Sequence, residues 1–306
     1  MVDSRLLSRA RARLMVRLQQ TSSSAPVDPL REFRSDAAQR HEQQLAGPPE
    51  PPVLTAGEVT GPPDYVGVAA QKCGTTWWHR MLIDHPQIVG CRGERPALGR
   101  TIEKELHYFQ QDWDREFDDA LIEAYHRYFP RQPGQLAGEW TPRYALDPWT
   151  PVRLAAAAPR ARLLVMLRDP IDRFCSGVTH NIARFGKLHP RLLVEQFERG
   201  RYAAQLQRLV EHFPREQILV LQFERCVHSP QSELQRTYRF LGVAPDHSPE
   251  TLTEPVYAAK LAHAELPGDL VRQLQRDYET DARELADRWE QIDLSVWPHF
   301  EHLSGR

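Results

Sequence analysis

Residues 71–77 read Gln71-Lys72-Cys73-Gly74-Thr75-Thr76-Trp77, and they combine the parts of an anion site. An apolar run, Tyr65 to Ala70, precedes them and an amphipathic segment, 75–85, comes after. The pattern predicts strand, tight turn and helix. A helix start presents unpaired N–H groups and the positive end of the helix dipole. Gly74 lets the backbone approach a phosphate with no Cβ in the way. Thr75 and Thr76 add hydroxyl donors, and Lys72 adds a mobile positive charge, so the turn suits a 5'-phosphate or phosphosulfate. The nucleoside triphosphate loop, G-x-x-x-x-G-K-[ST], is the competing reading. There the lysine follows the second glycine, whereas here Lys72 precedes the only glycine of the turn and the pattern occurs nowhere else. A plain helix cap would need only one Ser, Thr, Asp or Asn.

A second cationic motif, Arg168-Asp169-Pro170-Ile171-Asp172-Arg173-Phe174-Cys175-Ser176, ends the strongest apolar run of the chain, Ala161 to Asp169. Ligands of open α/β sheets collect at the carboxyl ends of strands. Arg168 leaves the strand there, and Ser176 follows about two turns into the next helix, so both reach one phosphate, the arginine through charge-assisted hydrogen bonds. An Arg-Asp-Pro turn alone is a common helix start, and its weight comes from its pairing with the first motif. A 3',5'-bisphosphorylated adenosine needs two anion sites. Asp169 is expected to be committed to its turn, which leaves no acidic magnesium ligand at the end of this strand and argues against a metal-dependent NTPase or kinase.

Together these motifs resemble the sulfotransferases that use 3'-phosphoadenosine 5'-phosphosulfate (PAPS). K-x-G-T-T-W after a strand is similar to their 5'-phosphosulfate loop, with Gln71 where a proline is usual. The resemblance implies that Lys72 contacts the leaving phosphate, that Trp77 packs near the adenine, and that Arg168 and Ser176 hold the 3'-phosphate, with Arg173 structural. It also implies PAPS as the sulfuryl donor and no metal.

Sulfuryl transfer then needs a base for the acceptor's proton and a cation for the charge that builds on the leaving group. Lys72 suits the second role. For the first, Lys104-Glu105-Leu106-His107-Tyr108-Phe109 reads as an extended segment whose alternation puts Glu105, His107 and Phe109 on one side. It resembles the K-E-x-H-F-F segment of the carbohydrate (heparan-type) branch. The resemblance implies Glu105 as general base and His107 as helper, or His107 as base by analogy with the aryl and steroid branch. Gly138-Glu139-Trp140-Thr141-Pro142-Arg143-Tyr144 is similar to that branch's acceptor-cleft segment, with Trp140 where a lysine is expected. That substitution argues against a heparan-like polyanion. Glu139 is a second carboxylate candidate.

The elements that must position these residues follow from the pattern. Strands are expected at 65–70, 135–141, 161–169 and 217–224. Helices are expected after Thr75 and Pro170, through 190–213, over 230–241 up to Gly242, and from Leu266 to Trp289, where apolar residues step by three or four. The alternation predicts an α/β fold of P-loop-like, three-layer form, a central parallel sheet flanked by helices. The sulfotransferase domain is expected over 64–306. Residues 1–63 read as a basic N-terminal helix and a Pro-rich, flexible arm that cannot bury a core. A targeting segment would have a similar amphipathic, arginine-rich start. The resemblance also implies a nucleotide-covering K-G-R loop shortly before the last helix, where only Lys260-Leu261-Ala262-His263 is found and Lys260 is the candidate.

The chain has 306 residues, 26% of them charged, and a formal net charge of −2. No global field points to nucleic acid or an anionic membrane, and no apolar run is long enough for a membrane span. Only four of the 39 cationic residues are lysines, namely Lys72, Lys104, Lys187 and Lys260. A lysine is a compact point charge where arginine is a planar fork, so each lysine stands out. The four cysteines are widely spaced and read as reduced thiols, which points to a cytoplasmic location. The acceptor is expected to be a small molecule or a carbohydrate. A P-loop phosphotransferase and a non-catalytic nucleotide-binding module are the alternatives; the latter would keep Lys72 and Arg168 without needing Glu105.

Overall fold

The computed structural model describes residues 49–95, 100–110, 116–185, 190–253 and 266–304. Its centre is a five-stranded parallel sheet, formed by β1 (Tyr65–Ala69), β2 (Ile88–Gly90), β5 (Leu136–Trp140), β6 (Arg162–Leu167) and β7 (Ile218–Gln222), in the order β2-β5-β1-β6-β7. A short antiparallel pair, β3 (Gly93–Arg95) and β4 (Arg100–Ile102), lies apart from it. All five residues of β1 and of β7 are buried, as are those of β6 after Arg162. Strands covered on both faces read as near-continuous apolar runs, which is why these three were legible.

The helices are α1 (Thr75–Ile83), α2 (Asp119–His126), α3 (Thr150–Ala157), α4 (Pro170–Phe185), α5 (Pro190–Glu198), α6 (Tyr202–Val210), α7 (Phe223–His228), α8 (Pro230–Leu241) and α9 (Gly268–Arg288). They flank the sheet as expected. The helix α8 lies against β7, α5 packs on α4, and α9 packs on α4 and α6. The buried stripe of α9 is Leu270, Leu274, Tyr278, Ala282 and Leu285, the spacing read from the sequence. The helix α8 ends on Gly242, whose φ of 75° closes the last turn.

Three expectations change. The segment 190–213 is two helices, because Arg199 to Arg201 turn the chain between α5 and α6. The strand expected to run to 224 stops at Gln222, and Phe223 opens α7. Ordered contacts also begin before Asp64. Glu50 bridges to Glu94, Val59 bridges to Arg131, and the Tyr128 hydroxyl donates to the Pro49 carbonyl. Residues 1–48, including the amphipathic start, and Lys260 lie outside the described residues.

The strand register brings the two cationic turns together. Tyr65 of β1 pairs with Gly138 of β5 on one side and with Arg162 of β6 on the other, and Ala69 pairs with Val165. The carboxyl ends of β1 and β6 therefore lie side by side. The turn 71–74 and Arg168 emerge from the same edge of the sheet.

Candidate active site

The first turn of α1 begins without a side-chain cap. Gly74 occupies the N-cap with φ 85°, and no side chain caps the helix. The leading N–H groups are thus not taken by a protein cap, which separates this turn from an ordinary helix start. Lys72 also adopts a positive φ, 71°, a conformation that non-glycine residues rarely hold. It is half-buried and makes no hydrogen bond or ion pair among the described residues. Burial lowers its pKa below the usual lysine value, and repulsion from Arg168 lowers it further. An anion bound beside both cations would offset the repulsion that Arg168 exerts on Lys72.

Arg168 sits at the end of β6 with its Nε buried and unpartnered. Its guanidinium lies 5.0 Å from the centre of the Phe223 ring and 3.7 Å from Asp172. Phe223 in turn closes off Gly74. A Cβ built on Gly74 would stand 2.6 Å from that ring, and Trp77 meets the same ring edge-on at 6.4 Å. One phenyl ring therefore joins the phosphate turn, the tryptophan expected near the base, and the second cation. Ser176 lies on α4, one turn beyond Asp172 and on the same face, half-exposed. Arg173 is fully buried and donates to Gln196, in keeping with a structural role. The Trp77 Nε1 is buried without a partner.

Tyr202 ties the two turns together from below. Its hydroxyl donates to the Arg168 carbonyl at 2.9 Å and lies 3.9 Å from the Cys73 sulfur. The contacts of Tyr202 and Phe223 are with residues distant in the chain and could not be read from the sequence.

Asp169 is committed, as expected. One carboxylate oxygen accepts from Ile171 N and Asp172 N, and the other accepts from the His299 backbone N–H and lies 3.1 Å from its Nδ1. Asp169, Asp172 and His299 are the only trio of possible metal ligands among the described residues. The hydrogen bonds to Asp169 already account for the arrangement.

The segment 103–107 lies against this turn. Lys104 Nζ donates to Thr75 Oγ1 at 3.3 Å, to Thr76 Oγ1 at 3.1 Å and to Glu105 Oε1 at 2.5 Å. The other carboxylate oxygen of Glu105 lies 3.2 Å from His107 Nε2. Burial works to raise the Glu105 pKa, but the hydrogen bond from His107 and the attraction and hydrogen bond of Lys104 outweigh it and hold the carboxyl down to about 2. Glu105 and His107 do share a side. Phe109 does not. A positive φ at His107, 55°, turns the chain into a 3-10 turn at Tyr108–Gln110, and Phe109 is buried against Tyr125 and Tyr144. Alternation ends where the strand-like backbone ends.

Glu139 is fully buried and accepts from Leu106 N, Tyr125 Oη, Thr141 Oγ1 and Tyr144 Oη at 2.6–3.0 Å. Burial raises its pKa while its four donors act to lower it. Holding the Leu106 backbone, it fixes Glu105 and His107 from behind. Trp140 is buried too, packed on Gly67, where a Cβ would come within 2.1 Å of the indole ring, and it donates to the Ala69 carbonyl at 3.1 Å.

Together the parallel sheet and its flanking helices define an α/β protein of P-loop-like fold, with an uncapped helix start and two cations at one edge of the sheet. The chain belongs to the sulfotransferase family, whose signature it matches over residues 63–247. Among curated proteins, human heparan sulfate glucosamine 3-O-sulfotransferase 3B1 is 28% identical over 71% of this chain and 57% of its own length. The human 3A1 form is 28% identical over 59% of this chain and 44% of its own. The chain thus spans about half the length of these relatives. Among solved structures, a sulfotransferase from Alicyclobacillus acidocaldarius is 25% identical with a TM-score of 0.61, covering 77% of this chain and 98% of the other. Among the described residues no helix is long and apolar enough to cross a membrane, and all four cysteines are free.

Proposed function

We propose that this enzyme moves a sulfuryl group from PAPS to a hydroxyl or amine of a carbohydrate, lipid or small-metabolite acceptor, with Glu105 as general base. The observation that carries the reading is the chain of contacts from Thr75 and Thr76 through Lys104 to Glu105, which sets a carboxylate beside the phosphate turn.

In this reading the 5'-phosphosulfate sits on the first turn of α1, and Arg168 and Ser176 take the 3'-phosphate. Glu105 accepts the proton of the acceptor. The acceptor's lone pair forms a bond to sulfur as the bond from sulfur to the bridging phosphate oxygen breaks. The electron pair of that bond passes to the 5'-phosphate, where Lys72 neutralises it. Adenosine 3',5'-bisphosphate (PAP) and the sulfated acceptor leave, and Glu105 returns its proton to water. Positioning and charge supply most of such catalysis. The protein's own cations meet the charge requirement, so turnover is expected to persist in EDTA.

A carbohydrate acceptor is favoured by the likeness to heparan sulfate sulfotransferases. The burial of Trp140, where that branch is expected to place a cleft lysine, counts against a densely sulfated chain. We read the location as cytoplasmic on the four unpaired cysteines.

The test is Glu105→Gln. Turnover of PAPS with a responsive acceptor should fall by about 10²–10⁴-fold, while PAP affinity stays unchanged. Undiminished turnover would make Glu105 dispensable and return the base role to His107 or to none.

A further inference from the structure

Lys104 has three donors, and all three are engaged, two by hydroxyls of the phosphate turn and one by the candidate base. A threonine hydroxyl that accepts from an ammonium must aim its own hydrogen elsewhere. An anion on the first turn of α1 would offer those hydrogens an acceptor. The side chain is 15% exposed, so the ammonium is confined between turn and base. The backbone around it is fixed as well. Trp140 N donates to the Lys104 carbonyl at 2.8 Å, and the buried His79 of α1 lies 3.3 Å from the Glu103 carbonyl through its Nε2.

We propose that Lys104 is a shared cation that leaves the Glu105 carboxylate for the sulfonate oxygens of the donor, so that binding of the phosphosulfate itself frees the base. The inference rests on the reading of the 71–77 turn as the donor site and of Glu105 as the base. It assigns to Lys104 a role distinct from that of Lys72: Lys72 meets charge on the leaving phosphate, and Lys104 meets charge on the group being transferred.

The geometry explains an otherwise awkward property of the free enzyme. A carboxylate held by both Lys104 and His107 accepts a proton poorly, and a general base works best when its pKa is nearer the working pH. Moving Lys104 to the donor removes one of the two groups that hold Glu105 down. The titratable side chains facing Glu105 are Lys104 and His107, and beyond them lies His79, whose pKa burial lowers to about 4. After the transfer of Lys104, His107 is the remaining partner.

The experiment compares two ligands that differ only in the sulfonate. Affinities of PAPS and PAP are measured by calorimetry on the full chain, without acceptor, for the wild type, Lys104→Met and Lys104→Arg. Lys104→Met should weaken PAPS by about 10–100-fold, the range for losing a hydrogen bond to a charged group, and change PAP by less than about twofold. Lys104→Arg keeps a cation and should recover most of the PAPS affinity, which also shows that the loss is not misfolding. A second readout is the pH profile. In the wild type the acid limb of kcat should lie at higher pH than that of kcat/KM for PAPS, since kcat reports the enzyme with donor bound. In Lys104→Met the two limbs should converge. Equal loss of PAPS and PAP affinity, loss of neither, or an arginine variant as weak as the methionine one would overturn the assignment. None of the affinity measurements uses turnover, so they stand or fall separately from the Glu105→Gln test.

Discussion

One oxygen of the buried Asp169 carboxylate accepts the His299 backbone N–H at 3.0 Å and lies 3.1 Å from the His299 ring Nδ1. This pins the C-terminal segment to the turn that carries Arg168. Glu224 adds a second tie, accepting from Asp169 N at 2.8 Å and from Trp297 Nε1 at 3.1 Å. The sulfotransferase match ends at 247, yet residues beyond it brace the second cationic turn.

The hydrogen bond to Asp169 raises the His299 pKa above the usual histidine value; burial acts in the opposite direction, and the charges of Asp169 and Asp172 add to the rise. A group whose folded pKa is raised stabilises the fold fully below its unfolded value, about 6.5, and that contribution is lost as pH rises through the folded value. His299→Ala should therefore lower stability by about 1 kcal/mol at mildly acidic pH, and by less at alkaline pH. Urea melts at both ends of the range check this, and a cost independent of pH would show that the ring carries no charge-dependent role.

The two cationic turns should separate in their effects. Arg168→Ala removes a contact expected for the 3'-phosphate, present in PAPS and PAP alike, so both should bind about 10–100-fold more weakly. Lys72→Ala should instead depress kcat more than PAP affinity, because its proposed work is done as charge builds on the leaving phosphate. Calorimetry and steady-state rates measure the split. Unchanged PAP affinity in Arg168→Ala would remove the second anion site from the reading.

Cys73 lies inside the phosphate turn, yet burial pushes its thiol up to about 12. Burial, with Asp172 and Asp169 nearby, pushes Cys175 to about 12 as well. Roughly one thiol in 10⁵ would be ionised at neutral pH. Iodoacetamide at neutral pH should leave both unmodified in the folded protein and spare turnover. Fast labelling of Cys73, read by mass spectrometry, would show the turn opening.

What was legible in the sequence was what one strand or one turn encodes. The apolar runs of β1, β6 and β7 are buried on both faces and announce themselves. Lys72, Gly74 and Arg168 gain their meaning from sitting just past two of those runs, and the parallel register of β1 with β6 then brings them to one edge. What was not legible depends on partners distant in the chain. Phe223 looks like the last residues of a strand until Gly74 and Arg168 are seen on its ring. The buried network on Glu139 draws donors from four places between Leu106 and Tyr144. The turn at His107 comes from a positive φ at a residue type that does not call for one. Lys104 stood out by its rarity as a lysine and as the first residue of the K-E-x-H-F-F-like segment, but its contacts with Thr75 and Thr76 span 29 and 28 positions.

The pairing of Gly67 with Trp140 bears on any attempt to redirect this enzyme toward the acceptors of its relatives. The indole occupies the space that a side chain at 67 would need, in the middle strand of the sheet. Trp140→Lys would restore the residue type expected at that position, but it would also remove a large ring from the core and leave an ammonium in an apolar pocket. Such changes cost several kcal/mol. A cation for a sulfated glycan has to be grafted onto a surface that already faces water, and the glycine and the tryptophan have to be exchanged as a pair or left alone.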